Sequence, residues 1–179
     1  MTAAGFRRNA WLRLDDEGLL RQCREERYRV SGPGGQRRNK VETAVRLLHG
    51  ASGLAAHAQE SRSPQENRLR ALRRLRERIA RELRAPFDLE SPVLPPEFAA
   101  RRGAAGRLSI NRRNVDYPLV LATALDALAA SGGSYARAAR ALGITTSQLL
   151  RFLRNDPEAW QTAGRMRADD MADGYSARR

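Results

Sequence analysis

The sequence is poor in the residue types on which disulfides, metal clusters and most hydrolytic sites depend. Its single cysteine, Cys23, excludes an internal disulfide and a cysteine-based metal cluster, and it favours a reducing, cytoplasmic setting. No stretch approaches the roughly 18 apolar residues of a membrane-spanning helix, so no membrane partner is predicted. The two histidines, His49 and His57, are not part of a Ser-His-Asp triad pattern or of a metal-ligand spacing. The sequence also contains no P-loop motif. We therefore predict no metal and no cofactor.

Lysine is almost absent, whereas arginine is abundant. Lys40 is the only lysine among 33 basic residues, and the net charge is +13. Through residue 86 the chain holds 20 basic and 10 acidic residues, whereas the remainder holds 13 and 10. The first half therefore predicts a surface that binds a polyanion. RNA, DNA and anionic lipid all satisfy that charge, so its sign alone does not identify the partner.

One short segment combines glycines with basic residues. Residues 31–40 read Ser-Gly-Pro-Gly-Gly-Gln-Arg-Arg-Asn-Lys. Glycine adopts positive φ without steric cost and lets another backbone approach closely, so such a loop can place a main-chain N–H in a narrow space. A Gly-Gly pair alone also fits a hairpin turn. The residues around the pair decide between the two interpretations.

Residues 29–46 resemble the catalytic-domain signature of class I peptide chain release factors, in which Gly-Gly-Gln precedes Asn-Lys and Ala-Val-Arg. A second block, residues 59–67, reads Gln-Glu-Ser-Arg-Ser-Pro-Gln-Glu-Asn and is similar to the family's Gln-x-x-Arg-Ser-x-x-x-Asn run. The likeness covers about residues 13–84. Arg37 and Arg38 depart from the family, which usually has a small or polar residue and then Val or Ile.

The resemblance implies hydrolysis of the ester between a nascent peptide and tRNA in the ribosomal peptidyl transferase centre. It implies that Gly34, Gly35 and Gln36 are catalytic: the glycines give clearance, and the main-chain N–H of Gln36 stabilises the developing oxyanion. The implied partners are large-subunit ribosomal RNA and peptidyl-tRNA, and DNA is the less expected polyanion. We assign RNA binding to a set of basic and amide residues: Arg37, Arg38, Asn39, Lys40, Arg62, Arg70, Arg73 and Arg74.

We predict an α+β fold. A small Gly-Gly-Gln domain (residues 1–84) of a few strands and a long basic helix precedes a Pro- and Arg-rich linker (85–116) and an all-α helix-turn-helix-like module (117–179). Prolines argue against a helix or central strand within residues 85–98. The predicted elements of the first domain are a helix at 15–24, strands at 26–31, 44–49 and 54–59, and a helix at 64–84.

The long helix has the clearest sequence signals. Ser63 and Glu66 form a capping-box pattern around Pro64 at the first helical position. An apolar stripe follows, made of Leu69, Leu72, Leu75, Ile79 and Leu83. The other faces carry eight arginines and two acids, Glu77 and Glu82, which favours phosphate contact over a merely solvated face. The arginines are Arg68, Arg70, Arg73, Arg74, Arg76, Arg78, Arg81 and Arg84.

Further helices are predicted at 117–130, 135–142 and 145–154. The run from 136 to 144 resembles a helix-turn-helix, in which Ala139 allows close packing, Gly143 allows the turn, and Ile144 with Leu149 fills the wedge. Such patterns also occur in helical modules that do not contact nucleic acid. Binding of nucleic acid by this module therefore stays open at this point.

Two functions from different classes remain. The expected one is codon-independent peptide release, as in short ribosome-rescue hydrolases, because the roughly 95 residues after the first domain contain no recognisable stop-codon-reading tripeptide. Those hydrolases end in a basic tail, whereas residues 162–179 hold four arginines and three aspartates. The Arg101–Arg113 patch or the helical module would have to take the role of that tail. The alternative is a non-enzymatic RNA- or DNA-binding module in which the glycine loop is only a turn.

Overall fold

The computed structural model describes residues 3–29 and 42–176, which form a mixed α/β fold. Two compact units are present, Ala10–Ile79 and Met1–Asn9 together with Ala80–Arg179. The predicted division into segments 1–84, 85–116 and 117–179 stays a prediction. In chain order the elements are α1 (Ala3–Arg13), α2 (Asp16–Leu20), β1 (Cys23–Tyr28), β2 (Ala44–His49), β3 (Ala55–Ala58), α3 (Pro64–Glu82), α4 (Pro96–Ala99), a 3₁₀ turn (Ala104–Gly106), α5 (Tyr117–Ala130), α6 (Tyr135–Leu142), α7 (Thr146–Arg154) and α8 (Pro157–Ser176).

The sheet is antiparallel with strand order β1-β2-β3. The predicted strand at 44–49 is confirmed, but β1 begins at Cys23 instead of residue 26. The predicted first helix ends at Leu20 instead of Arg24. Cys23 pairs with His49, and the pairing continues residue by residue to Tyr28 and Ala44. Pairing with an apolar neighbour thus outweighs the weak strand propensity of the sequence Arg-Glu-Glu-Arg.

Helix α3 and one face of the sheet build the core of the Ala10–Ile79 unit. Alternate residues of β2, Val45 and Leu47, are fully buried, as are Leu75 and Ile79 of α3. Leu69 is 55% exposed, so its predicted place in the apolar stripe is wrong. The buried positions of α3 include small Ala71 and polar Asn67, which a count of large apolar residues does not detect.

The predicted capping box is half formed. Glu66 N donates to Ser63 Oγ at 3.3 Å, as expected. The Glu66 carboxylate instead accepts from Ser61 Oγ at 2.5 Å, and Ser61 Oγ accepts from Ser63 N at 3.1 Å. The hydrogen bond from Ser61, together with Arg70, lowers the pKa of Glu66. The Ser61 hydroxyl therefore bridges Ser63 N and the Glu66 carboxylate, in place of the direct hydrogen bond of a capping box.

His49 is a buried structural residue. Its ring lies edge-on to Trp11 with centroids 4.8 Å apart. Its ring nitrogens lie 2.8 Å from Ser52 Oγ and 3.2 Å from Gln22 Oε1. Burial lowers the pKa of His49 from its usual value, because an imidazolium there would lose hydration.

We expect this burial to make folding sensitive to acid. The pKa of His49 is lower in the folded state than in the unfolded chain, so its contribution to stability is full above about pH 6.5. That contribution is lost as the pH falls through the folded-state pKa. Urea unfolding between pH 5 and 7.5 should show a declining midpoint that is absent in His49→Gln. His57→Gln is the control, because His57 is exposed on β3; an unchanged acid slope in His49→Gln would contradict the assignment.

The larger unit contains α4 to α8. Helix α5 is buried along nearly all of its length, as its apolar sequence predicts. The predicted helices at 117–130 and 135–142 are confirmed, and α7 begins at Thr146 with Thr145 as its N-cap. Helix α4 contradicts the prediction that no helix occurs in 85–98, because Pro96 occupies the N1 or N2 position, where its missing N–H costs nothing. Helix α1 was not predicted from the sequence.

A buried ion cluster connects α1, the end of α3 and α5 within this unit. Arg8 is 0% exposed and donates to both carboxylate oxygens of Asp126, at 2.7 and 2.6 Å. Arg8 also donates to Leu83 O, and Ala85 N donates to Asp126. Arg84 lies 3.3 Å from the same carboxylate, and burial lowers its pKa to about 10.

No described helix is both long and apolar enough to cross a membrane.

Candidate functional site

The glycine loop connects two strands that are neighbours in the sheet. Tyr28, the last residue of β1, pairs with Ala44, the first residue of β2. Paired residues of antiparallel strands have Cα atoms about 5 Å apart, so both ends of the loop lie together at one end of the sheet. Arg29 Nε lies 3.4 Å from Glu42 Oε1 across this base. Glu42 is exposed and pairs with Arg29.

The interior of the loop lies outside the described residues. It includes the three predicted catalytic residues, Gly34, Gly35 and Gln36. Four of the predicted RNA-binding residues also lie there: Arg37, Arg38, Asn39 and Lys40. Their roles stay predictions, and the structure contributes the base from which the loop starts and to which it returns.

Asn67 connects this base to α3. Its side chain is 0% exposed, and its Nδ2 donates to Thr43 O at 2.7 Å and to Ser61 O at 2.8 Å. Its Oδ1 accepts from Ser61 N at 2.9 Å. One amide side chain thus uses both donors and its acceptor to hold the returning end of the loop. The second sequence block contained this residue, but its spacing alone did not show the contact.

Two of the four described RNA-binding candidates are without a charged partner. Arg62, in the segment before α3, and Arg73, on α3, are both exposed. Among the residues that the structure describes, neither makes an ion pair or a side-chain hydrogen bond. These guanidinium groups are available to bind phosphate without displacing a protein carboxylate.

Acids from other elements, and Glu66 on α3 itself, pair with most of the remaining arginines of α3 and with Arg84 just beyond its end. The sequence interpretation weighed these arginines against Glu77 and Glu82 alone, and the phosphate contact that it favoured stays a prediction. Exposed pairs of this kind contribute about 0–1 kcal/mol, so phosphate can displace the outer ones. The pairs, with their N–O distances, are Arg68–Glu25 (2.8 Å), Arg70–Glu66 (2.5 Å), Arg74–Glu60 (2.6 Å), Arg76–Asp16 (2.9 Å), Arg84–Asp126 (3.3 Å) and Arg81–Asp156 (3.7 Å).

Arg74 also has a structural contact. Arg74 Nη1 donates to His57 O at 2.8 Å, and Arg78 Nη1 donates to Ala55 O at 2.7 Å. Arg74 and Arg78 are four residues apart on α3, a rise of about 6 Å. The two carbonyls are two residues apart on β3, a distance of about 6.7 Å, so the spacings of the donors and acceptors match. The two arginines cover part of an edge strand. Arg74 therefore has a structural contact in the unit, and its predicted binding of RNA stays a prediction.

No group of three or more His, Cys, Asp or Glu side chains that could hold a metal occurs in residues 3–29 and 42–176. Cys23 donates its S–H to Leu19 O at 3.2 Å, and burial raises the pKa of its thiol. A thiol with a raised pKa is a poor nucleophile at neutral pH.

The comparisons with known proteins agree with the two sequence blocks. Residues 20–91 match the RF-1 domain, a segment that includes the loop, its base, β2, β3 and α3. This segment of the chain is therefore similar to the RF-1 domain of class I release factors. Peptide chain release factor 1 of Lacticaseibacillus casei is 48% identical over 68 residues, which cover 38% of this chain and 18% of that protein.

Two other members of the release factor family show the same partial coverage. Peptide chain release factor 2 of Paramagnetospirillum magneticum is 47% identical over 58 residues, or 32% of this chain and 16% of that protein. Peptide chain release factor 1 of Latilactobacillus sakei is 39% identical over 108 residues, which cover 59% of this chain and 28% of that protein. The chain thus spans less than a third of the length of these curated relatives. No solved structure matches it significantly.

Proposed function

We propose that the chain hydrolyses the peptidyl-tRNA ester in the peptidyl transferase centre of the ribosome. The observation that carries this proposal is the RF-1 match, which includes the whole Gly-Gly-Gln loop. The fold supports it, because the paired ends of β1 and β2 and the side chain of Asn67 fix the base of that loop. A fixed base is what a loop needs to hold a donor in one position.

The reaction requires stabilisation of an oxyanion and release of a ribose hydroxyl. The main-chain N–H of Gln36 is the proposed donor, and one such preorganised donor is worth about 2.7–4 kcal/mol of transition-state stabilisation. Gly34 and Gly35 leave room for the tRNA end and give the backbone its freedom. The side-chain amide of Gln36 has both donors and an acceptor, so it orients a water molecule while excluding larger nucleophiles.

Residues 31–40 of the loop contain no His, Asp or Glu that could act as a general base, and Glu42 at its base pairs with Arg29. The proton acceptor is therefore supplied by the substrate ribose or by the ribosome. It follows that the protein depends on the ribosome for turnover, since alone it has only an electrostatic donor to offer.

This dependence gives a direct test. Labelled peptidyl-tRNA is presented either free in solution or in the P site of ribosomes stalled on an mRNA that lacks a stop codon. We expect peptide release only from the ribosomes, at a rate proportional to bound protein. Robust turnover of free peptidyl-tRNA would overturn the proposed mechanism. Sedimentation with ribosomes without any release would instead favour the non-enzymatic binding module.

The finer proposal is codon-independent rescue. The RF-1 match ends at residue 91, and the chain continues into the Pro- and Arg-rich segment 85–116 and the helical segment 117–179. We assign the first segment as a linker and the second as a helix-turn-helix-like module. The arginines of the first segment take the part that a basic tail has in short rescue hydrolases. Release that is as fast without a stop codon as with one supports this assignment, and strict dependence on a stop codon opposes it.

A further inference from the structure

The α6–α7 pair carries positive charge without any carboxylate. Between Asp126 and Asp156 the sequence contains four basic residues and no acidic one. All four are exposed and, among the described residues, none is ion-paired with a carboxylate. They are Arg137, Arg140, Arg151 and Arg154. This differs from α3, where acids from other elements compensate most of the arginines.

Helix α7 has two sharply different faces. Leu149, Phe152 and Leu153 are buried and fix the helix in its unit. The opposite face forms a shallow surface groove of about 440 Å³. The side chains that line it are Ser147, Leu150, Arg151, Arg154 and Asn155. Spacings of three and four residues place them on one stripe of the helix.

The turn before α7 is rigidly specified. Gly143 has φ 65°, and a Cβ there would lie 2.2 Å from the Arg102 guanidinium. Thr145 caps α7 by accepting from Gln148 N at 3.2 Å, and Thr145 N donates to Gly106 O at 3.3 Å. The turn therefore fixes the start of α7, and exposed Arg102 lies at the C-terminal end of α6, where its Nη1 donates to Leu142 O at 3.5 Å.

The arginine at the far end of the stripe is also held in place. The guanidinium carbon of Arg154 lies 5.0 Å from the centre of the Trp160 ring, and this ring stacks on Tyr135 at 6.1 Å between centroids. A guanidinium held by an aromatic face and not by a carboxylate keeps its full charge and its outward N–H donors.

From these observations we infer that α7 binds B-form DNA, with its stripe of side chains in the major groove. The major groove is about 12 Å wide and admits one α-helix, and serine, asparagine and arginine side chains read base edges there. The exposed arginines of α6 and Arg102 at its C-terminal end supply further guanidinium groups for phosphate contacts. A-form RNA has a deep, narrow major groove that such a helix does not enter. The inference does not depend on the proposed function.

The experiment uses the full chain and a library of DNA duplexes with about 20 random base pairs. The basic first half is itself predicted to bind polyanions, so the readout is enrichment of a sequence motif and not total affinity. We expect a motif to emerge, with the enriched duplex bound at least about tenfold more tightly than a scrambled one. An RNA duplex of the same sequence should compete no better than the scrambled DNA.

Two variants locate the binding to α7. Arg151→Ala removes an exposed arginine, and it should weaken binding to the enriched duplex by about tenfold or more. Ser147→Asp adds a carboxylate to the first turn, where the helix dipole favours negative charge, so the fold is retained while phosphate is repelled. Arg73→Ala on α3 is the control and should leave the motif unchanged.

The inference is overturned by any of three results: no motif is enriched, the α7 variants bind the enriched duplex as the wild type does, or an RNA duplex is preferred by the wild type and not by Arg151→Ala. Gly35→Ala should bind the enriched duplex normally. This variant separates failure of the DNA inference from failure of the release proposal, because it affects peptide release alone.

Discussion

Gly35→Ala is expected to slow peptide release from stalled ribosomes by about 100-fold to 1,000-fold, the effect of losing one oxyanion donor. A methyl group at position 35 narrows the clearance beside the donor and restricts the backbone that aims the Gln36 N–H. The rate is measured under single-turnover conditions with saturating protein, so that binding and chemistry are separated. Binding to ribosomes, measured by sedimentation, should be nearly unchanged.

Gln36→Ala is the matched control for this backbone argument. It removes the side-chain amide but keeps the main-chain N–H, so release by water should fall less than in Gly35→Ala. Selection among nucleophiles should weaken, and small alcohols or hydroxylamine should then compete with water more effectively. Release by Gly35→Ala at the wild-type rate would contradict the assignment of the donor to the main chain.

Asn67→Ala is expected to lower the free energy of unfolding by about 2–4 kcal/mol. The substitution removes three hydrogen bonds made by a fully buried side chain, each worth about 1 kcal/mol, and leaves main-chain groups of Thr43 and Ser61 without these partners. The base of the loop loses its connection to α3, so release should fall further than the loss of stability explains. Urea unfolding and the release assay at low temperature measure the two effects separately.

Gln65→Ala provides the comparison, because Gln65 is an exposed amide two residues earlier on the same helix. We expect it to change stability by less than about 0.5 kcal/mol and release not at all. Asn67→Asp keeps the acceptor for Ser61 N but cannot donate to Thr43 O, so it should be intermediate in stability and still impaired in release. Normal release by stably folded Asn67→Ala would show that the loop does not need this support.

Local sequence patterns predicted those elements that local interactions determine. Strand β2, α5 and α6 have the predicted bounds, because each combines apolar periodicity with a clear turn or cap at its ends. Strand β1 begins three residues before the predicted start, since an edge strand rich in Arg and Glu is stabilised mainly by pairing with β2. Such pairing is not visible in a single segment of sequence.

For the site, the two motifs predicted the family and placed the loop, but not its support. Asn67 was quoted as a motif residue, yet only the fold shows that it bonds to Thr43, 24 residues away. The same holds for the arginines of α3, whose partners Glu25, Glu60 and Asp16 lie on other segments. Charge counted along one helix therefore overstated the free positive surface.

The most direct test is the distance from the main-chain nitrogen of Gln36 to the peptidyl-tRNA ester. It is measured in a cryo-electron microscopy map of the protein on a stalled ribosome that holds an uncleavable peptidyl-tRNA analogue in the P site. The proposed mechanism predicts that the main-chain nitrogen of Gln36 lies about 3 Å from the position of the developing oxyanion. A map that shows residue 36 outside the peptidyl transferase centre, with the protein bound elsewhere on the particle, would contradict it.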